Sequence, residues 1–189
     1  MSRWQPGARE RLERAALDLF LEQGFTETTV PQITARAGLT TRTFFRHFAD
    51  KREVLFAGEE MVPELVARFM AEAPPSLGPM ELITEGLAPA VAEIFEGRGL
   101  DYLLRRRAAI DAEPALHERE LRKFALMSAA LERGFRDRGA DDLTARLAAE
   151  IAVTAVRIAV TRWLDQQGDP DLPATVNQTL AAMRRLTST

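Results

Sequence analysis

Apolar residues recur three and four positions apart over almost the whole of this 189-residue sequence. That spacing places them on one face of an α-helix, whereas the alternation typical of a half-buried strand is rare and short here. Glycine and proline interrupt the pattern at intervals, most clearly at residues 74–79, and mark the ends of helical segments. The sequence therefore predicts an all-α fold of about nine helices.

Several classes of protein are disfavoured by what the sequence lacks. There is no cysteine, and the two histidines, His47 and His117, lie far apart, so we expect no disulfide, no metal site and no cofactor. His117-Glu118 lacks the second histidine of a zinc-protease motif, and no phosphate loop, nucleophile elbow or catalytic triad is present, so no enzyme is predicted. Without a signal peptide or a membrane-length apolar stretch, we expect a cytoplasmic protein.

The charge is unevenly distributed along the chain. The net charge is −3, but residues 1–56 carry nine Lys or Arg against seven Asp or Glu, a net of +2, which leaves −5 for residues 57–189. The basic residues of the first part form two clusters, Arg3, Arg9, Arg11 and Arg14, followed by Arg42, Arg46, Lys51 and Arg52. A weakly basic head on an acidic body is typical of a DNA reader joined to a part that should not bind DNA.

Residues 24–55 contain the most informative pattern. Two short helices are predicted on either side of Ala37-Gly38-Leu39, the first capped by Thr28 or Thr29 and the second by Thr40, and this arrangement fits a helix-turn-helix. The second of them presents Thr41, Arg42, Thr43 and Arg46 outward, where Arg42 is the best candidate for a bidentate contact with a guanine. Asp50 then looks like the cap of a long fourth helix.

This stretch strongly resembles the TetR family of transcriptional regulators. The elements that match in order and spacing are Gly24-Phe25, Thr28-Thr29-Val30, Ile33, Ala37-Gly38-Leu39, His47-Phe48 and Lys51. The resemblance covers about residues 9–56. It implies a three-helix DNA-binding domain at residues 1–50 and a helical ligand-binding and dimerisation domain at residues 51–189. It also implies a repressor that a small, mainly apolar ligand releases from a near-palindromic operator.

The resemblance further implies roles for individual residues. Thr29, His47 and Lys51 would contact phosphates, although the threonines at 29 and 40 also fit a role as helix caps alone. Phe45 stands where the family usually has a tyrosine, so it can only pack or touch sugars and methyl groups. Arg46 fits either a phosphate contact or a solvated surface charge.

The helix predicted from about residue 141 to 166 carries two apolar stripes, and such a helix must be covered on both sides. One side can face the chain's own core, while the other, with the last helix, would pair with a second copy in a four-helix interface. The alternative is a helix buried entirely within one chain. The predicted interface residues are Ile151, Ala155, Val156, Ile158, Ala159, Trp163, Val176, Leu180 and Met183.

Large or adaptable side chains of the C-terminal body are candidates for a ligand pocket, and ordinary core packing is the alternative for each. They are Met61, Phe69, Tyr102, Phe124, Met127 and Trp163. Residues 104–121, rich in Arg and Glu, loosely resemble regulators associated with mycofactocin systems, which suggests an acyl-CoA-like ligand as well as other apolar compounds. Arg105-Arg106-Arg107 would face such an anion or, as the favoured alternative, lie on a solvated or acid-paired face.

Two other functions fit the same helical pattern. One is a helical ligand-binding or partner-binding protein without specific DNA readout, which would leave Arg42, His47 and Lys51 unexplained. The other is a transcriptional activator of the same fold, which the sequence does not distinguish from a repressor.

Overall fold

The computed structural model describes residues 7–58 and 61–187, with only the backbone of Thr187. This part of the chain is all-helical, which confirms the predicted class and helix number. It contains α1 (Ala8–Gln23), α2 (Val30–Ala37), α3 (Thr41–His47), a 3₁₀ turn (Glu53–Phe56), α4 (Val62–Glu72), α5 (Pro79–Phe95), α6 (Leu100–Ala112), α7 (Pro114–Asp137), α8 (Asp142–Asp165) and α9 (Leu172–Thr187). Arg3 of the predicted basic cluster lies outside the described residues. None of the described helices has the length and apolar content needed to span a lipid bilayer.

The predicted long fourth helix beginning at Asp50 is wrong. One Asp50 carboxylate oxygen does accept hydrogen bonds from the N–H groups of Arg52 (2.7 Å) and Glu53 (3.2 Å), but the element that follows is only the short 3₁₀ turn. Gly58 follows with a positive φ of 88°, a conformation that ends regular helix. Pro63 then lies in the first turn of α4, where its missing N–H costs little, so a separate helix begins there.

The chain divides into two compact units that do not follow the sequence in one piece. The first unit comprises residues 1–60 and 101–122, and the second comprises residues 61–100 and 123–189. The first unit therefore takes in most of α6 and the beginning of α7 as well as the helix-turn-helix. Because compactness does not assign function, the division of function at residue 50 stays a prediction.

The core of the first unit is formed by apolar side chains from every one of its helices. Leu12 and Ala16 on α1, Ile33 on α2 and Phe44 on α3 are all fully buried. Leu116, near the start of α7, is equally buried in the same cluster. The three N-terminal helices thus share one core with the α6–α7 segment.

Arginines on α6 and α7 reinforce this unit. Phe56, which is buried, packs against the guanidinium groups of Arg106 and Arg119, which lie 5.0 and 4.5 Å from its ring centroid. Arg106 donates to the carbonyl of Leu55 (2.6 Å), and Arg119 donates twice to the carboxylate of Glu53 (2.8 and 2.9 Å). We call this group the Phe56 sandwich. It ties α6 and α7 to the 3₁₀ turn.

The predicted acid-paired alternative for the three consecutive arginines on α6 fits these contacts. Arg105 pairs with Asp18 on α1 at 2.5 Å, and Arg106 pairs with Glu120 on α7 at 3.1 Å. Arg107 pairs with Asp111, one turn further along α6, at 3.5 Å. Each guanidinium therefore already has an acidic partner within the first unit.

In the second unit, α8 packs against α5 and α9 through small side chains. Ala145, Ala152 and Ala159 lie on one face of α8 and are buried, as is Val176 on α9. Alanine at these positions lets the helix backbones approach closely, and the larger residues of the facing helices fill the space between them.

The C-terminal end of α4 is held firmly in the second unit. Phe69 lies over Gly86 on α5 so closely that a Cβ on the glycine would be 1.8 Å from the ring, and Met70 occupies a similar notch at Gly134 on α7. Arg138 also donates to the carbonyls of Met70 (2.8 Å) and Pro74 (2.5 Å). The Met70 carbonyl lies in the last turn of α4, where it has no partner within the helix.

Candidate nucleic-acid interface

The first helix of the predicted motif, α2, begins with a reciprocal cap. The Oε1 atom of Gln32 accepts from the Thr29 N–H at 2.8 Å, while the Gln32 N–H donates to the Thr29 hydroxyl at 3.4 Å. Thr28 is buried and donates its hydroxyl to the Gly24 carbonyl at 2.8 Å. Thr29 is exposed, and so of the two predicted cap residues it is Thr29 that begins α2. The Thr-x-x-Gln spacing is a sequence signal of this cap.

The turn between α2 and α3 depends on Gly38. This residue has φ 63° and ψ 39°, a left-handed conformation that costs glycine little and other residues more. The guanidinium of Arg11, on α1, donates to the carbonyls of Ala37 (3.1 Å) and Gly38 (3.2 Å). Arg11 therefore fixes the turn from outside the motif, and the sequence pattern alone does not predict this contact.

The second helix of the motif, α3, is anchored on one side and exposed on the other. The Thr40 hydroxyl accepts from the Thr43 N–H at 3.2 Å, which confirms the predicted cap. Phe44 is fully buried, whereas its neighbour Phe45 is 59% exposed. Most of the other predicted contact residues on and around this helix are also exposed, namely Thr29, Thr40, Thr41, Arg42, Arg46 and His47, while Thr43 and Lys51 are half-buried.

The cations on the exposed side of α3 differ in their surroundings. Arg42 has no hydrogen-bond or ion-pair partner within residues 7–58 and 61–187, so its guanidinium is available to a ligand. Arg46 lies beside His47, with 3.5 Å between Nη2 of the arginine and Nε2 of the histidine. A guanidinium next to an imidazole can present two neighbouring donors to phosphate oxygens.

Lys51 contacts backbone carbonyls of its own chain, and the phosphate contact that the resemblance implies stays a prediction. Its ammonium group donates to the carbonyls of Phe25 (2.7 Å), Thr26 (3.2 Å) and Thr28 (2.9 Å), and it lies 4.3 Å from the Phe25 ring centroid. An ammonium group has three N–H donors, and all three are used here. These carbonyls belong to the turn between α1 and α2, 23 to 26 residues earlier in the chain.

Asp50 is a second charged residue next to Lys51. Burial alone would raise the pKa of its carboxyl group, but hydrogen bonds from the Arg52 side chain and from the N–H groups of Arg52 and Glu53 outweigh burial and lower that pKa. The carboxylate is therefore charged at neutral pH and pairs with Arg52 at 2.8 Å. Arg52 is thus held by an acid, unlike Arg42.

The residues predicted for a ligand pocket are not all brought together. Phe69, Phe124, Met127 and Trp163 are half-buried against the core of the second unit. Met61 is exposed, and Tyr102 is half-buried against the core of the first unit. A cleft of about 540 Å³ in the second unit is lined by Trp163 but by none of the other five, and its remaining walls include Phe95, Glu96, Arg98 and Leu172.

The residues predicted for a dimer interface fall into three groups by burial. The buried ones, Ala155, Ala159, Val176 and Leu180, pack inside the second unit's own core and so cannot face a partner. Ile151, Val156, Trp163 and Met183 are half-buried, and Ile158 is exposed. Two leucines absent from the predicted set, Leu143 and Leu147, lie on the same side of α8 as Ile158 and are exposed.

Comparisons with known proteins agree with this arrangement of helices. Residues 13–57 match the family model described as bacterial regulatory proteins, tetR family. The transcriptional regulator TcmR of Streptomyces glaucescens is 29% identical over 174 residues, which span 88% of this chain and 76% of that protein. The regulator SrpR of Pseudomonas putida is 43% identical over 49 residues, 26% of this chain and 23% of the relative.

Solved structures share the fold over nearly the full length. The SmeT–triclosan complex superimposes with a TM-score of 0.61 at 23% identity, covering 93% of this chain and 90% of SmeT. NalD of Pseudomonas aeruginosa, the secondary repressor of a multidrug efflux pump, gives a TM-score of 0.56 at 21% identity, covering 94% and 95% of the two chains. These structural similarities show the fold, while the match of residues 13–57 to the family model and the similarity to TcmR show that the chain carries a DNA-binding segment of the TetR type and is a DNA-binding transcriptional regulator.

Proposed function

We propose that this regulator is a homodimeric repressor that leaves its operator when a small, mainly apolar molecule binds its second unit. The observation that carries the proposal is the exposed side of α3, where Arg42 has no partner among the described residues while Phe44 anchors the helix from behind. A short helix that is anchored to the core on one side and is polar on the other suits the major groove. NalD, with the same fold, is named as a repressor, which supports this direction of control.

The exposed stripe of α8 supports a dimer. Leu143, Leu147 and Ile158 project from the side of the helix opposite the buried alanines, and half-buried Ile151 lies between them. A second copy related by two-fold symmetry would cover this stripe with the same stripe of its own. Such a dimer would present two copies of α3, so the operator should be a near-palindrome with half-sites about 34–36 Å apart, or a multiple of that distance.

The apolar character of the second unit supports a mainly apolar effector. Phe69, Phe124, Met127 and Trp163 offer adaptable aromatic and thioether surface next to its core. SmeT, which shares the fold, was solved with triclosan, itself a small apolar compound. Release would require that the effector bind the DNA-incompetent form more tightly than the DNA-bound form. Native mass spectrometry of the purified protein tests for a co-purified molecule of this kind.

The operator-binding proposal predicts that Arg42→Ala loses sequence selectivity. A bidentate arginine–guanine contact contributes about 1–3 kcal/mol of discrimination, which corresponds to roughly a 5- to 150-fold weaker Kd for a duplex selected from a random pool. Binding to a random duplex of the same length should change far less. Fluorescence anisotropy with both duplexes measures the two affinities at one fixed salt concentration.

Arg133→Ala is the matched control for this experiment, because Arg133 is an exposed arginine on α7, far along the chain from the helix-turn-helix. It should leave both affinities unchanged. An equal loss on selected and random duplexes for Arg42→Ala would show that this arginine contacts only the backbone. A wild-type protein that selects no sequence at all would contradict operator binding itself.

The proposed dimer predicts that Leu147→Glu produces monomers. Placing a carboxylate where two leucine-rich stripes meet would bury a charge without a partner, which costs several kcal/mol. Leu126→Glu on α7 is the matched control, because Leu126 and Leu147 are 55% and 53% exposed. Sedimentation equilibrium measures the mass, and a Leu147→Glu variant that stays as dimeric as the control would contradict this interface.

A further inference from the structure

The turn between α2 and α3 is held by an arginine that lies on neither of these helices. Arg11, which is half-buried on α1, donates from Nε to the Ala37 carbonyl at 3.1 Å and from Nη2 to the Gly38 carbonyl at 3.2 Å. Its Nη2 also donates to the Ala37 oxygen. The planar guanidinium thus fixes two consecutive carbonyls with respect to α1 through charge-assisted hydrogen bonds.

The contact between Arg11 and the turn is also close in the steric sense. Ala37 is the last residue of α2, so its carbonyl has no partner within that helix. A Cβ added to Gly38 would lie 3.1 Å from Nη2 of Arg11, which is tighter than ordinary contact. The guanidinium therefore packs on the glycine as well as bonding to its carbonyl, and the turn has little room to shift.

This turn sets the position at which α3 begins. Thr40, which follows the turn, caps α3 by accepting from the Thr43 N–H at 3.2 Å. Arg42 lies in the first turn of the same helix. A change of direction at Gly38 would displace the Arg42 guanidinium, and a bidentate contact with guanine requires two donors to meet two acceptors at once.

A second arginine of α1 contacts the opposite end of α3. The guanidinium of Arg9 lies 5.9 Å from the ring centroid of Phe48, the residue at which α3 ends. That distance is near the limit of about 6 Å for a cation–π contact, so its contribution is small. The hydrogen bonds of Arg11 are therefore the stronger link between α1 and the ends of α3.

We propose that Arg11 is a positioning residue for sequence readout, which fixes the Ala37–Gly38 turn and through it the place of Arg42 in the major groove. This role depends on the base contact proposed above for Arg42. A residue that positions Arg42 affects selectivity only while Arg42 is present. A residue that merely stabilises the first unit affects binding to the same extent with or without it.

A double-mutant cycle on operator selectivity separates these two roles. Selectivity is the Kd for a random duplex divided by the Kd for a selected duplex, measured by fluorescence anisotropy at one salt concentration. Arg11→Met should lower this ratio by about 5-fold or more, the lower end of what a bidentate arginine–guanine contact contributes. When Arg42 is already alanine, the same substitution should lower the ratio by less than about 2-fold.

Arg14→Met is the matched control, because Arg14 is an exposed arginine on the same helix. It should leave the ratio unchanged in both backgrounds. Stoichiometric titration with DNA gives the active fraction of each protein, so that unfolded protein is not counted as lost affinity. Arg11→Lys, which keeps the charge but not the planar fork, is the second variant and should lower the ratio in the same direction.

Two results would contradict the positioning role alone. An unchanged ratio in Arg11→Met, beside a reduced ratio in Arg42→Ala, would show that base reading does not require this arginine at the turn. An equal loss with and without Arg42 would show that Arg11 supports the first unit in general. An unchanged ratio in Arg42→Ala would instead contradict the base contact proposed for Arg42, and the role of Arg11 would fall with it.

Discussion

Phe44→Ala is expected to lower the free energy of unfolding of the first unit by about 3–5 kcal/mol, the usual cost of removing a buried aromatic ring. Phe44 is fully buried, and its ring meets those of Phe45 and Phe48 at centroid distances of 5.4 and 5.5 Å. Alanine would leave a cavity in the middle of the small core that α3 shares with α1 and α2. Since single domains are stable by only about 5–15 kcal/mol, this loss is a large fraction of the total.

Phe45→Ala is the matched control, because it makes the same substitution at the next residue of the same helix. Phe45 is 59% exposed, so its removal should change the free energy of unfolding by less than about 1 kcal/mol. Urea unfolding followed by circular dichroism compares the two variants at one fixed protein concentration, since dimer stability depends on concentration. Similar losses for both would mean that α3 does not pack through Phe44.

The same pair separates stability from DNA binding. Phe45 lies on the exposed side of α3 with Arg42 and Arg46, so Phe45→Ala should weaken binding to a selected duplex while the fold persists. Phe44→Ala should weaken binding only as far as it unfolds the first unit. The comparison therefore tests which side of α3 faces DNA without relying on any charged residue.

The local features of the motif were predictable from the sequence, because each depends on residues close together in the chain. The caps at Thr29 and Thr40, the left-handed turn at Gly38 and the burial of Phe44 all follow from short-range rules. The end of the helical pattern near Gly58 was also predictable, since a glycine signals the end of a helix and a proline such as Pro63 is common in the first turn of the next one. The prediction of one long helix from Asp50 overlooked them.

Contacts between distant parts of the chain were not predictable in the same way. Arg11 reaches Ala37 and Lys51 reaches Phe25, each across 26 residues, and a charged side chain in a single sequence does not disclose its partner. The contacts of Lys51 with three backbone carbonyls were not foreseen, while the phosphate contact that the resemblance implies stays a prediction. The sequence predicts two apolar stripes on α8. It does not predict which alanines of α8 are buried within the chain's own core, because that depends on how α5 and α9 pack against the helix.

Residues 101–122 are held in the first unit by both apolar and polar contacts. Their apolar contribution includes Ile110 and Leu116, which are buried with the helix-turn-helix core. Their polar contribution is the Phe56 sandwich and the pairing of Arg105 with Asp18. If the sandwich is an essential part of this cohesion, then removing its aromatic centre should loosen α6 and not only the 3₁₀ turn.

Phe56→Ala is accordingly expected to destabilise the first unit by about 3–5 kcal/mol and to lower amide protection in α6 as well as in residues 53–56. The ring is only 2% exposed, and its loss would leave the guanidiniums of Arg106 and Arg119 facing a cavity. Phe56→Leu keeps much of the bulk but not the π face, so it should cost roughly 1–2 kcal/mol.

Hydrogen exchange resolved by peptide measures both effects in the same experiment. In Phe56→Ala, protection in α6 should fall together with that of α1 and α3, because one cooperative unit opens as a whole. Arg119→Gln removes both the two bonds to Glu53 and the guanidinium above the ring, so it measures the loss of the charged partner while the Phe56 ring stays in place. If Phe56→Ala exposed only residues 53–56 and left α6 protected, the α6–α7 segment would be held by Leu116 and its apolar neighbours alone, and the sandwich would be a local feature of the turn.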